Sequence, residues 1–187
     1  MDFTLPKTVT VAGEKLEIRY DFRVILEIIV MLGDDNLSGA EKTAGIKDMF
    51  YLEPDRIKNT RQAVEECYTF IGCGKKNDKQ GPKITDWEQD FEYIIAPVNR
   101  VLGFEARAVK YDPLNNTGGV HWWTFMAAFM EIGGDCLYSQ IVSIRDKQAR
   151  RKKLEKYERE WLRRNGDLVR LRQQYTAEDE ELLKQWT

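Results

Sequence analysis

TVTVAGEKLEIRYDFRVILEIIVML, residues Thr8 to Leu32, decides the fold class. Its first half alternates: Val9 and Val11, then Leu16, Ile18 and Tyr20, with Ala12-Gly13-Glu14 between the two runs. Period-two patterning interrupted by a glycine predicts a small β-hairpin turning at Gly13, with arms Thr8 to Val11 and Lys15 to Tyr20. A lone hairpin is marginal in water, so it must lean on the adjoining segment. That segment is Phe22 to Leu32, apolar at every position except Arg23 and Glu27. The run is too short to span a membrane, and its pattern predicts a helix buried all round.

Helical signals continue outward. Gly33-Asp34-Asp35-Asn36 ends the first helix, and Ser38 with Glu41 three residues on forms a capping-box pattern for a second. Pro54 separates this from a third helix, expected over Asp55 to Ile71, with Asp55 as its cap or first-turn acid. Residues 72–83 are glycine- and lysine-rich and predict an exposed loop. Thr85 or Asp86 then caps a fourth helix, with Trp87, Phe91, Ile94, Ile95, Val98 and Leu102 at helical spacing and a kink expected at Pro97. Phe104 to Tyr111 is ambiguous between extended and ragged helical, and 112–119 reads as a loop. His121-Trp122-Trp123-Thr124-Phe125-Met126 opens a helix expected to be core, with an aromatic contact patch as the other reading, and Gly133-Gly134 stops it. A further helix near Asp135 carries Leu137, Ile141 and Ile144 towards Arg145.

Composition restricts the function. The chain has 187 residues, 42% hydrophobic and 32% charged, with a net charge of −2 and three cysteines. This is a globular composition without the positive excess that drives phosphate binding. Met1 to Pro6 lacks a basic stretch followed by an apolar run, so no signal peptide is expected, and an odd cysteine count without zinc spacing points to a reducing cytosol. Lys75 and Lys76 follow glycines, yet the phosphate-loop pattern is missing. His121 is the sole histidine, and no nucleophile or orienting acid can be named around it. The expectation is a protein that is not an enzyme, with no catalytic, cofactor or metal residues and no cofactor.

The last stretch differs in character. Lys147 to Arg164 holds nine basic and three acidic side chains. Leu154, Tyr157, Trp161, Leu168 and Leu171 recur at near-heptad spacing, interrupted at Asn165-Gly166, and Leu182, Leu183 and Trp186 mark a short acidic helix at the end. An apolar row on so charged a segment needs a covering surface: its own domain, a second copy or a partner. These five residues are the expected partner-binding set. Lys147 to Lys156 is also a basic stretch, but its flanking acids make nucleic acid an unexpected partner.

His121-Trp122-Trp123-x-Phe125, followed by Ile141-Val142-Ser143-Ile144-Arg145, resembles a family of small tailed-bacteriophage proteins encoded among the tail genes near the tape measure protein. The hairpin, Tyr20-Asp21-Phe22-Arg23 and Ala40-Glu41-Lys42 are similar to it as well, so the resemblance runs over residues 8 to 150. In size and gene position such proteins resemble tail assembly chaperones, which coat the tape measure chain until tube subunits replace them. The expected architecture is mainly α: a compact helical domain with an N-terminal hairpin over residues 1–145, and a charged helical extension over 146–187. The expected role is non-catalytic binding of the tape measure protein in the bacterial host cytoplasm, with possible self-association and no membrane. The alternatives are a structural component of the finished tail and, behind it, a nucleic-acid binder.

Overall fold

A computed structural model describes residues 4–75 and 81–172. The fold is mainly α with a small N-terminal antiparallel hairpin, as expected. The acidic helix expected over Thr176 to Trp186, Tyr175, which continues the spacing of Leu168 and Leu171, and part of the 72–83 loop lie outside the described residues. The chain forms two compact units interleaved in sequence.

The first unit comprises the described residues up to 75 and residues 106–126. Strands β1, Thr8–Val11, and β2, Glu14–Glu17, pair with Val11 opposite Glu14. Ala12 and Gly13 take φ of 52° and 81°, the double positive φ of a two-residue turn that matches strand twist. The second arm stops short of its expected end. Ile18 still donates its N–H to the Lys7 carbonyl at 3.0 Å but also bridges Tyr51, and the Arg19 amide donates to the Phe50 carbonyl at 2.7 Å.

Helix α1 spans Phe22–Gly33. Its cap is Asp21, whose carboxylate accepts from the Arg23 amide and also takes the Val120 N–H at 2.8 Å. Gly119 lies at φ 76°, and a β-carbon there would collide with the Asp21 carboxylate, so only glycine lets the two segments close. The expectation of burial on every face is corrected. Phe22, Ile25 and Ile28 are buried, Val24, Leu26, Ile29, Val30, Met31 and Leu32 are half-buried, and Glu27 is exposed. Its neighbour α2, Gly39–Phe50, starts with the expected reciprocal box: Glu41 N–H to Ser38 Oγ at 3.3 Å, and Ser38 N–H to Glu41 Oε2 at 2.8 Å. Met31 lies directly over Gly45 of α2.

The third helix begins later than expected. Pro54–Arg56 make one 3₁₀ turn, and α3 runs Thr60–Ile71 under an Asn59 cap that accepts from Gln62 N–H. It buries Ala63, Cys67 and Phe70, spaced four and three apart. After a 3₁₀ turn at Ala106–Ala108, the ambiguous and loop-like stretch contains a minimal second hairpin, β3 at Tyr111–Asp112 and β4 at Thr117–Gly118. Helix α5 spans Trp122–Met130, and Trp122 and Phe125 are 1% and 0% exposed, the core placement. Phe125 stacks on Phe22 at 4.6 Å between centroids.

The second unit comprises residues 81–105 and 127–172. Helix α4, Trp87–Leu102, is capped by Asp86 and closed by Gly103 in the left-handed region. It packs on α6, Leu137–Ala149; α4 buries Ile94, Ile95 and Val98, and α6 buries Tyr138, Ile141 and Ile144. Phe129 lies between two further aromatics, 4.9 Å from Trp87 and 5.6 Å from Tyr138. Two short helices complete the unit, α7 at Lys156–Arg164 and α8 at Gly166–Val169. Among the described residues, no helix is long and apolar enough to cross a membrane.

Candidate binding surface

His121 and Cys67 are engaged in structure. His121 uses both ring nitrogens: Nε2 donates to the Pro6 carbonyl at 2.9 Å, and Nδ1 accepts the Trp123 N–H at 3.1 Å. A carbonyl can only accept and an amide N–H only donate, so the pair of bonds sets the neutral tautomer. Burial also holds its pKa below the usual 6.5. The neighbouring indoles finish a helix. Trp122 Nε1 donates to Ile71 O and Trp123 Nε1 to Phe70 O, both at 2.9 Å, satisfying carbonyls in the last turn of α3. Cys67 is buried and its thiol is pushed up to about 12, so it holds its proton as a core side chain. Among the described residues no three His, Cys, Asp or Glu side chains converge as metal ligands would.

Sequence reasoning missed the polar centre of the second unit. Asp90 and Arg145 are both buried and form a two-point ion pair: Nη1 to Oδ2 at 2.6 Å and Nη2 to Oδ1 at 3.0 Å. Arg145 directs its other three donors to backbone carbonyls. Nε reaches Val169 at 2.7 Å, Nη2 reaches Leu168 at 2.9 Å, and Nη1 reaches Ile84 at 3.2 Å. All five N–H groups are used, so burying the charge leaves no donor stranded. Gln89 adds a second stitch, donating to the Arg170 carbonyl at 2.8 Å and accepting the Arg172 N–H at 2.9 Å. Residues 168–172 are therefore fastened to α4 and α6 through their backbone. The signal available in sequence was small: Asp90 sits four residues past the Asp86 cap, on the face of Ile94 and Val98.

The expected partner-binding row falls on four successive segments. Leu154 is half-buried in the coil before α7, and Tyr157 and Trp161 lie one turn apart on α7. Leu168 belongs to α8, and Leu171 lies just beyond it in coil, both half-buried. The interruption expected at Asn165-Gly166 is where α7 ends and α8 begins. Arg151 takes a left-handed φ of 54°, which ends α6 and starts the coil. Tyr157 stands 63% exposed. Beneath it Glu158 is buried, its Oε1 taking a 2.6 Å bond from Lys147 and its Oε2 the Glu155 N–H at 2.8 Å. The Lys147 ammonium holds the Glu158 carboxyl below the usual carboxylate range. This anchor fixes α7 with Tyr157 outward and Trp161 half-covered.

A family model described as Bacteriophage Gp15 protein matches residues 1–171. The chain belongs to this bacteriophage family. The family match extends past residue 150, where the resemblance read from the sequence ends, and takes in α7, α8 and the Leu168, Val169 and Arg170 carbonyls that Arg145 and Gln89 fasten. Tyr157, Trp161, Leu168 and Leu171 therefore lie within the Gp15 homology region. No curated protein and no solved structure matches the chain.

Proposed function

We propose that this phage protein is a non-catalytic tail-assembly factor that binds apolar helical segments of the tape measure protein in the host cytoplasm, in the manner of a tail assembly chaperone. The observation that carries the reading is the pair on α7: Tyr157, 63% exposed, one helical turn from half-buried Trp161. Tyrosine and tryptophan dominate binding hot spots, and an exposed ring beside a partly covered one offers an apolar helix a ready anchor. Leu154, Leu168 and Leu171, each half-buried, are the remaining members of the set read from the sequence spacing. The structural use of His121 and Cys67 supports a role without catalysis, and membership of a phage family supports the setting.

The test is co-expression of the full chain with the tape measure protein of the same phage. Capture should fall at least tenfold, on the order of 1.4 kcal/mol, for Tyr157→Ala with Trp161→Ala, while circular dichroism stays unchanged. Unchanged capture by the double variant would sink the assignment. Mature tails should lack the protein. Finding it there in stoichiometric amount would make it a structural tail component instead.

A further inference from the structure

The outer side of α7 carries charge as well as an aromatic ring. Lys156, Arg159, Arg163 and Arg164 are exposed on it, and the exposed segment 150–153, Arg-Arg-Lys-Lys, leads into it. The folding of Glu158 inward, neutralised by Lys147, removes an acid from this surface. Glu155 and Glu160 are the acids left exposed over residues 150–164. Arg150 is paired with Asp146, and Arg159 donates to the Leu154 carbonyl at 2.6 Å. Lys152, Lys153, Lys156, Arg163 and Arg164 form no ion pair among the described residues. Cations left unmatched around an exposed tyrosine favour an oppositely charged, partly apolar occupant.

We propose that this surface receives an acidic amphipathic helix of a partner protein, whose apolar side chains meet Tyr157 and Trp161 while its carboxylates meet Lys152, Lys153, Arg163 and Arg164. The proposal rests on the reading of α7 as the client surface and specifies the client's chemistry: an apolar stripe flanked by acids. A protein helix suits it better than nucleic acid. Glu160 lies between Lys156 and Arg164 on the exposed side, each four residues away, where a phosphate backbone would meet a carboxylate. A helix of mixed charge can set a lysine against Glu160, and Tyr157 gives its apolar stripe a purchase that a phosphate backbone does not use.

The experiment titrates the full chain with three labelled probes by fluorescence anisotropy across a salt series. They are a synthetic amphipathic helix of leucine, alanine and glutamate, the same peptide with lysine for glutamate, and a short DNA duplex. The glutamate peptide should bind at least tenfold tighter than the lysine peptide and tighter than the duplex. Its affinity should fall with salt, and should fall about tenfold in the variant Lys152→Gln, Lys153→Gln, Arg163→Gln, Arg164→Gln, whose exposed sites leave the fold intact by thermal melt. Equal binding of the two peptides, tighter binding of the duplex, or indifference to the four-site variant would overturn the proposal. Failure of the parent reading looks different. If the four-site variant still captures the tape measure protein but Tyr157→Ala with Trp161→Ala does not, the charge proposal falls and the client surface stands. If both variants capture it fully, the surface itself is wrong.

Discussion

Replacing Arg145 by methionine tests the role of the buried ion pair in the second unit most directly. Methionine keeps the unbranched stem and roughly the packing volume of the side chain while removing the charge and all five donors. Asp90 would then remain 0% exposed with only the Asp86 N–H, at 2.9 Å, bonded to its carboxylate. The carbonyls of Leu168, Val169 and Ile84 would lose the bonds they now accept from the guanidinium. Breaking a buried pair from one side costs about 3–5 kcal/mol, because the surviving charge stays desolvated. For a chain of this length that converts to a fall of about 6–20 °C in melting temperature. Replacing both partners, Asp90→Leu with Arg145→Met, removes the stranded charge and should recover a substantial part of the loss, leaving the double variant more stable than Arg145→Met alone. Thermal melts and denaturant titrations measure the first effect. Amide exchange at Leu168 and Arg170 reads the second, since these backbone groups should open before the α4 core does. A change under about 1 kcal/mol for Arg145→Met, or a double variant as unstable as the sum of the singles, would refute the reasoning that the pair fastens the carboxy-terminal segment.

Three further outcomes are expected. Trp122→Ala should cost about 3–5 kcal/mol, by cavity formation and loss of the indole bond to Ile71, with a matching shift of denaturant midpoint; an unchanged midpoint would contradict core placement. Because burial lowers the His121 pKa, the unfolded state takes up the proton first, so stability should be full above pH 6.5 and decline as pH falls from there towards the folded value. That decline should be absent in His121→Gln, and an identical pH profile in the two proteins would rule the assignment out. Gly119→Ala should fold poorly or shift the α1 start, by about 1–3 kcal/mol for strain alone, and a stable protein with unchanged exchange at Val120 would show that the Asp21 approach is not tight.

What the sequence made legible was local. The β1–β2 turn needs two neighbouring residues, the α2 box needs Ser38 and Glu41, and the α4 cap needs Asp86 within reach of Gln89. Each is set by contacts a few positions apart, and propensity or spacing is enough to read it. The aromatic core around Trp122 and Phe125 was also legible, because size and periodicity alone argue for burial. The error at α1 has a physical origin in the same rule. An apolar run reports that side chains prefer to leave water, and says nothing about how many neighbouring elements the fold supplies to cover them.

The rest was illegible because it depends on pairs far apart in the chain. Asp21 and Val120 are 99 positions apart, Asp90 and Arg145 are 55 apart, and Lys147 and Glu158 are 11 apart across an interrupted helix. In sequence, each of these charged residues is indistinguishable from a solvated surface charge. Their burial becomes tolerable only once a partner of opposite sign or a free backbone group is folded against it. What holds the expected apolar row in place is illegible on the same ground. Leu154, Trp161 and Leu168 do keep their spacing, but the order in the 150–172 stretch comes from polar stitches: Glu158 to Lys147, Arg145 to residues 168 and 169, and Gln89 to residues 170 and 172. Fastening a segment by its backbone and its acids releases its apolar side chains from the task of holding it in place. Tyr157 is the residue that stands most clearly outside that work, and an aromatic ring held outward by a rigid polar anchor loses little further freedom on meeting a partner.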